Sequence, residues 1–307
     1  MTCYHPILAI QSDVPTSNGT YDVRIGNEFS SNVPFGYHTI KLPCGKCIGC
    51  LLERSRQWAV RCVHEASLYD SNCFITLTFD DLKCSERQRT SLVKCDFQLF
   101  MKRLRKQYGS GIRFFHCGEY GSQLQRPHHH ACLFNFDFPD KELFSVRYGT
   151  RLYRSPSLER LWPYGFSSIG DVTFESAAYV ARYICKKKFG QLADSHYRGR
   201  EPEYVTMSRR PGIAHDWFSK FKDDVYPDDF ILIRDNIKCK PPRYYDKIYD
   251  NINHESMLNI KKSRLDNALK HSYDNSHERL LVREQVQLIK CDRLVRCYEK
   301  GDSDVCI

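Results

Sequence analysis

The chain has 307 residues, 41% of them hydrophobic and 27% charged, which is enough for one large or two modest globular domains. The formal net charge of +9 favours a polyanionic partner such as nucleic acid. No apolar stretch approaches the roughly 18 residues that span a bilayer, and the first residues lack the basic start and apolar centre of a signal peptide. These properties predict a cytoplasmic protein that makes no membrane contact.

The 15 cysteines predict reduced thiols rather than a disulfide framework, because their number is odd and the chain is large for a disulfide-stabilised domain. Three of them have the two-residue spacing of metal-binding loops, with glycines that permit tight turns: Cys44, Cys47 and Cys50. A closed tetrahedral zinc site needs a fourth ligand, for which Cys3 is the first choice and Cys62 and His64 the next. Structural Zn²⁺ is the favoured occupant, and plain thiols or an iron–sulfur cluster are the alternatives.

Strands and helices are predicted in alternation through the middle of the chain. The apolar run 73–79 predicts a buried strand, and Asp96 is expected to cap a helix whose apolar residues recur at the 3.6-residue period as far as Tyr108. Further strands are predicted at 112–120, 128–136 and 166–173, with helices at 54–61, at 157–161 and around 179–188. This order predicts the α+β class, with a mainly antiparallel sheet and helices packed on one face.

Three consecutive histidines stand at the start of the strand predicted at 128–136. Residues 126–130 read Arg-Pro-His-His-His. Successive strand side chains point to opposite faces, so His128 and His130 share one face and His129 takes the other. Two imidazoles in this arrangement can converge on one divalent ion. Glu119, on the preceding strand, is the best candidate for a third, oxygen ligand, which would suit Mg²⁺ or Mn²⁺.

Two tyrosines stand four residues apart in the helix that follows. Tyr179 and Tyr183 therefore share one helix face, which Lys186 and Lys187 continue. A phenol is a poor nucleophile at neutral pH, so it needs an electrophile activated by a cation and a positive group that favours the phenolate. The metal would supply the first and the lysines the second.

Each of these signals has an ordinary structural interpretation. A histidine pair on a strand is usually a core or surface feature, a tyrosine pair at helical spacing is usually a core stripe, and a lysine run usually ends a helix. Their joint occurrence in this order favours a site that cuts and rejoins DNA.

Several segments resemble the replication-initiation proteins of gokushoviruses, small single-stranded-DNA bacteriophages of the Microviridae. The resemblance rests on Cys-Gly-Glu-Tyr-Gly at 117–121, on Arg-Pro-His-His-His-Ala at 126–131 and on the tyrosine segment at 179–187. Further similar segments lie at 43–50, 55–59, 74–79, 161–165 and 241–245, so the likeness spans most of residues 43–245.

The resemblance implies membership of the HUH endonuclease superfamily, with an RRM-like or ferredoxin-like fold. Carried over residue by residue, it makes His128 and His130 the metal ligands and Tyr179 and Tyr183 the paired nucleophiles. His129 departs from the family, which usually has a bulky hydrophobic or aromatic residue at that position. We expect Arg126, Arg182 and Lys188 to contact DNA.

The expected domains are a cysteine-rich segment at 1–62, the catalytic domain at 63–200, its loop-rich extension at 201–245 and a charged, mostly helical region at 246–307. The resemblance implies a rolling-circle initiator in the host bacterial cytoplasm, acting on single-stranded or locally unwound phage origin DNA. It also implies a host helicase, polymerase and single-strand binding protein as partners.

Two other functions stay open from the residues. The first is a hydrolytic nuclease in which His128, His130 and Glu119 activate water and the tyrosines are structural. The second is a non-catalytic single-stranded-DNA-binding protein, for which a sheet with aromatic strands suffices.

Overall fold

The computed structural model describes residues 3–18, 20–30, 32–121, 124–147, 149–186, 191–233 and 237–293. The chain divides into two compact units, Met1–Glu53 with Asp266–Leu294 and Arg54–Leu265 with Val295–Ile307. Among the described residues, no helix combines the length and the apolar character needed to cross a membrane. The domain boundaries expected from the sequence stay predictions.

The strands of the described residues are β1 (Ile7–Ser12), β2 (Val23–Ile25), β3 (Tyr37–Leu42), β4 (Asn72–Thr78), β5 (Arg113–Tyr120), β6 (Pro127–Phe134), β7 (Glu142–Arg147), β8 (Thr150–Arg154), β9 (Ser167–Gly170), β10 (Tyr204–Met207), β11 (Ile231–Ile233) and β12 (Ile237–Cys239). The α-helices are α1 (Ile48–Ala66), α2 (Glu86–Thr90), α3 (Lys94–Tyr108), α4 (Pro156–Leu161), α5 (Phe174–Lys186), α6 (Gln191–Tyr197), α7 (His215–Val225), α8 (Arg243–Ile252), α9 (His254–Lys270) and α10 (His277–Arg293).

The first unit contains a small antiparallel sheet in the order β2-β1-β3. In the pairing of β1 with β3, Ile7 lies opposite Leu42, so the residues before β1 and after β3 meet at one end of the sheet. The small core at that end contains Tyr4, Cys47 and, from α10, Leu280.

The second unit is built on a seven-stranded sheet in the order β10-β5-β6-β4-β9-β8-β7. Every pair of neighbours runs antiparallel. The α+β class and the antiparallel sheet are therefore confirmed, as are the cysteine-rich segment near the amino terminus and the helical region near the carboxyl terminus.

Helices cover both faces of this sheet, and the expectation of one covered face is wrong in that detail. On one face, Phe74 and Phe115 pack with residues of α1, α5, α7 and α8. On the other face, Ile75 and Leu77 pack with α3 and α4. The physical reason is visible in β4, where adjacent residues from Cys73 to Ile75 are all buried, as in a strand covered on both sides.

Several boundaries differ from the sequence-based expectation. α3 begins at Lys94 with Val93 at its N-cap, so Asp96 lies in the first turn rather than at the cap. A carboxylate there interacts favourably with the positive end of the helix dipole. β9 is shorter than the predicted strand at 166–173. The hairpin of β7 and β8 and the edge strand β10 were not predicted.

Candidate active site

Strand pairing brings four polar side chains of the second unit together. β6 pairs with β5 so that His128 lies opposite Glu119, and with β4 so that His130 lies opposite Thr76. Because side chains alternate along a strand, these four share one face of the sheet. His129 lies on the other face, as the alternation predicts, and is fully buried there.

The surroundings of His129 are those of a core residue. Its Nδ1 lies 3.1 Å from Nε2 of His116, whose ring stacks on Phe97. Burial, followed by the charges of His130 and His128, lowers the pKa of His129 to about 3, so this ring is neutral in the folded protein at neutral pH.

His130 is held on both ring nitrogens. Its Nε2 lies 2.7 Å from Oε1 of Glu119, and its Nδ1 lies 3.0 Å from Oγ1 of Thr76. An ionised carboxylate only accepts hydrogen bonds, so Nε2 donates to Glu119 while Nδ1 accepts from the threonine hydroxyl. That hydroxyl can also accept, so Thr76 is able to hold the other tautomer, which carries its lone pair on Nε2.

His128 is half-buried, and its ring lies parallel to that of His130 within 4°, with the ring centroids 6.4 Å apart. Its Nδ1 lies 2.7 Å from the carbonyl oxygen of Arg126. A carbonyl oxygen can only accept, so Nδ1 carries the hydrogen and the lone pair of the neutral ring is on Nε2. This is the tautomer that binds a metal through Nε2.

α5 brings the first tyrosine to the same face. The helix starts with reciprocal hydrogen bonds between Thr173 and Ser176, in which the nitrogen of each residue donates to the side-chain oxygen of the other. One turn on, the Tyr179 hydroxyl donates to Oε1 of Glu119 at 3.3 Å, and its ring meets that of His130 edge to face with centroids 5.1 Å apart. Tyr179 is only 3% exposed.

The remaining predicted residues of this segment are described in part or not at all. Tyr183 and Lys186 belong to α5, with Tyr183 one helical turn after Tyr179, but their side chains lie outside the described part of the chain. Lys187 and Lys188 lie outside the described residues altogether.

Two arginines were expected to contact DNA. Arg126 precedes the histidine strand and forms an ion pair with Asp81. The guanidinium of Arg182 lies 5.7 Å from the centroid of the Tyr179 ring, so a positive charge lies close to that phenol.

The donor set of this face fits a hard or borderline divalent cation. It combines the imidazoles of His128 and His130 with the carboxylate of Glu119, all on adjacent strands. Among the described residues, the one group of at least three such side chains whose ligand atoms already lie close enough together to hold a metal ion is the cysteine group described below. A cation held here would need its remaining coordination positions filled by water or phosphate.

Sequence reasoning missed Thr76 as part of this site. Its contact with His130 joins strands that are 54 residues apart in sequence. The available signal was alternation within 73–79, which puts Thr76 and Thr78 on the same face as Phe74. Without the strand order, that signal does not identify which residue lies opposite.

The first unit holds a second cluster, made of cysteines. The sulfur atoms of Cys3, Cys44, Cys47 and Cys50 all lie within 4.8 Å of one another. Burial opposes ionisation of Cys47, but nearby backbone N–H groups and neighbouring thiols outweigh it and lower its pKa to about 7. Cys62 and His64, the alternative candidates for the fourth ligand, do not belong to this cluster. Cys62 lies in the core of the second unit, and His64 stacks on Trp217.

A family model described as replication-associated protein ORF2 matches residues 72–188. This stretch begins with β4 and extends past the end of α5. It therefore contains Thr76, Glu119, His128, His130 and Tyr179, the residues that meet on one face of the sheet.

Curated relatives match much more of the chain. Replication-associated protein VP4 of Bdellovibrio phage phiMH2K is 34% identical over 264 residues, which cover 81% of this chain and 77% of the relative. Replication-associated protein ORF2 of Spiroplasma virus 4 is 35% identical over 219 residues, 67% of each chain. Replication-associated protein ORF4 of Chlamydia phage 1 is 31% identical over 227 residues, 68% of this chain and 55% of the relative. No solved structure gives a significant match.

Proposed function

Because the chain belongs to the family of phage replication-associated proteins, we propose that it starts rolling-circle replication of a phage genome by cutting and rejoining one DNA strand at the origin. The observation that carries this proposal is the contact between α5 and the sheet. The Tyr179 hydroxyl donates to Glu119, and the same carboxylate oxygen accepts from His130. This contact supports the proposal, because a side chain that can act as a nucleophile lies beside side chains of types that can bind a metal ion.

His128, His130 and Glu119 would hold a Mg²⁺ or Mn²⁺ ion. When bound, such an ion would supply Lewis-acid chemistry, by withdrawing charge from a phosphate oxygen and orienting the phosphodiester for in-line attack. Glu119 is positioned to accept the proton of the Tyr179 hydroxyl, and the charge of Arg182 near the ring favours the phenolate. We assign the same charge-stabilising part to Lys186 and Lys187.

The proposed reaction keeps the energy of the cut phosphodiester bond in a phosphotyrosine bond, so rejoining needs no other energy source. The tyrosine oxygen loses its proton and forms a bond to phosphorus while the bond from phosphorus to the 3′ oxygen breaks. The 3′ oxygen takes up one proton, so the step balances and leaves a 3′ hydroxyl that can prime synthesis. After one round, Tyr183 would cut the regenerated origin. The new 3′ hydroxyl then attacks the first phosphotyrosine and releases the tyrosine, which closes a circle.

The expected substrate is single-stranded or locally unwound origin DNA, bound with strong salt dependence through Arg126, Arg182 and Lys188. Such an initiator acts in the host bacterial cytoplasm without membrane contact. The freed 3′ end calls for a host helicase, polymerase and single-strand binding protein as partners.

The test is a covalent-adduct assay with oligonucleotides that tile the phage genome, in Mn²⁺, analysed on denaturing gels. Wild-type protein should form an adduct with one oligonucleotide, and the double variant Tyr179→Phe with Tyr183→Phe should bind it without forming the adduct. The matched control is Tyr273→Phe, because this tyrosine is 75% exposed and lies in the first unit. An undiminished adduct in the double variant would end the tyrosine assignment.

The low exposure of Tyr179 is the observation that favours the hydrolytic rival, in which this ring is structural. Product analysis separates the two mechanisms, because hydrolysis leaves DNA ends without attached protein. A protein that only binds single strands should keep its whole function when His128 and His130 are both changed to alanine.

A further inference from the structure

The four cysteine sulfurs of the first unit have the spacing of a single-ion site. Sγ of Cys44 lies 4.0 Å from Sγ of Cys50, and Sγ of Cys47 lies 3.9 Å from Sγ of Cys3. Four thiolates at about 2.3 Å from one zinc ion form a tetrahedron with edges of about 3.8 Å. These contacts match such edges and are far longer than the roughly 2.05 Å of a disulfide bond.

The fold explains why a residue so near the amino terminus joins the other three. β1 and β3 pair with Ile7 opposite Leu42, so Cys3 before β1 and Cys44 after β3 leave the sheet at the same end. Gly45 then turns the chain with a φ of 73°, a conformation that glycine adopts without strain. Cys47 follows directly before α1, and Cys50 lies in the first turn of that helix.

Backbone N–H groups are directed at three of these sulfur atoms. The nitrogen of Cys44 donates to Sγ of Cys3 at 3.2 Å, and the nitrogen of Tyr4 donates to Sγ of Cys47 at 3.3 Å. Sγ of Cys44 accepts from the nitrogens of Lys46 and Cys47 at 3.4 and 3.3 Å. A neutral thiol is a weak acceptor, so this pattern suits thiolates, and four thiolates this close together need a cation among them.

We propose that Cys3, Cys44, Cys47 and Cys50 bind one structural Zn²⁺ ion. Four protein ligands close the tetrahedron, which leaves no open position for a reacting group. A four-iron cluster needs a wider cage, because each thiolate binds a different iron atom. The site is independent of the DNA-cutting chemistry proposed above.

The zinc ion would stabilise the folded first unit, as a larger apolar core does in larger domains. The buried apolar core beside it contains only Tyr4, Cys47 and Leu280 among the described residues. Small units of this kind commonly depend on a metal for folding, and the metal-binding energy then becomes folding energy. Zinc would fix the residues before β1 to the start of α1 and support the packing of Leu280.

Metal analysis of the full-length chain, purified without added metal, tests the proposal. Wild type should contain about one zinc per chain, and Cys47→Ser should contain less than about half an equivalent. The matched control is Cys95→Ser, because Cys95 is an exposed cysteine of α3, and it should keep the wild-type zinc content.

Cobalt substitution of the wild-type chain gives a second measurement that does not depend on any variant folding. Co²⁺ should show the intense absorption of tetrahedral coordination by four thiolates. A chain that purifies without metal and gives octahedral cobalt would overturn the site. Iron in place of zinc, or equal zinc in Cys47→Ser and wild type, would overturn the assignment as well.

Discussion

Replacing Thr76 by valine tests the proposed histidine site at a residue that would not touch the metal. Valine keeps the shape of threonine but removes the hydroxyl 3.0 Å from Nδ1 of His130. His130 is 3% exposed, so water has little access to replace the lost partner. Leaving a buried polar group without its partner costs about 1–3 kcal/mol.

The effect on metal binding follows from the tautomer. Binding through Nε2 requires the hydrogen on Nδ1, and the Thr76 hydroxyl is the group that can accept it. Loss of such a supporting hydrogen bond weakens metal affinity by about 10-fold to 100-fold. Thr76→Val should therefore bind Mn²⁺ at least about 10-fold more weakly than wild type.

The assay is titration of the full-length protein with Mn²⁺, with free ion measured by electron paramagnetic resonance. Thr78→Val is the matched control, because Thr78 lies two residues along the same face of β4 and its hydroxyl donates to the carbonyl oxygen of Phe166 at 3.2 Å. That oxygen also accepts from the nitrogen of Thr78, so the control should lose little stability and no metal affinity. Equal Mn²⁺ affinities of the two variants would refute the reasoning.

Two further predictions concern stability. Burial lowers the pKa of His64 to about 3, whereas a histidine in the unfolded chain has a pKa of about 6.5. The unfolded chain therefore takes up the proton first as the pH falls. The free energy of unfolding should decrease by about 2 kcal/mol between about pH 7 and pH 5. His64→Phe should remove that part of the acid sensitivity in urea unfolding, and an unchanged pH dependence would contradict the assignment. Gly165→Ala should lower the free energy of unfolding by about 1–3 kcal/mol, because the added Cβ would lie 2.6 Å from the Asp80 nitrogen and 2.7 Å from the Phe79 Cα. Thermal unfolding should show no comparable loss for Gly170→Ala, where the nearest atom lies at 3.8 Å, and equal losses would refute the steric argument.

The parts of the fold that were predicted from the sequence are those with a strong local period. Residues 73–79 and 112–120 have the apolar and aromatic bias of strands, and α3 repeats its apolar residues at helical spacing. The same local rule puts His128 and His130 on one face, whatever the strands beside them do.

The layer arrangement depended on information that periodicity does not contain. A continuous apolar run such as 73–75 is typical of a strand buried on both sides, but which helices cover each side is decided by contacts between distant segments. The β7–β8 hairpin was missed for a different reason. The apolar residues of β7 are Leu143, Phe144 and Val146, and they do not alternate regularly with polar residues. All three are exposed, so this strand lacks the pattern of a half-buried strand.

The candidate site shows the same division. The type and spacing of Glu119, His130 and Tyr179 were sufficient to nominate them, but their hydrogen bonds depend on the strand register and on the position of α5. Cys3 was nominated only because a tetrahedral site needs a fourth ligand. The register of β1 and β3 supplies the physical reason for its position beside Cys44.

The hydrogen bond of Tyr179 to Glu119 is a modest barrier to the proposed reaction. At 3.3 Å it is long for a hydrogen bond between oxygens, so its net contribution is at the low end of about 0.5–1.5 kcal/mol. Stacking of one unpaired base on an aromatic side chain contributes about 1–3 kcal/mol. Stacking on this scale can exceed the cost of breaking that hydrogen bond once the proton has passed to Glu119, so a buried tyrosine in the free protein is compatible with attack on bound DNA.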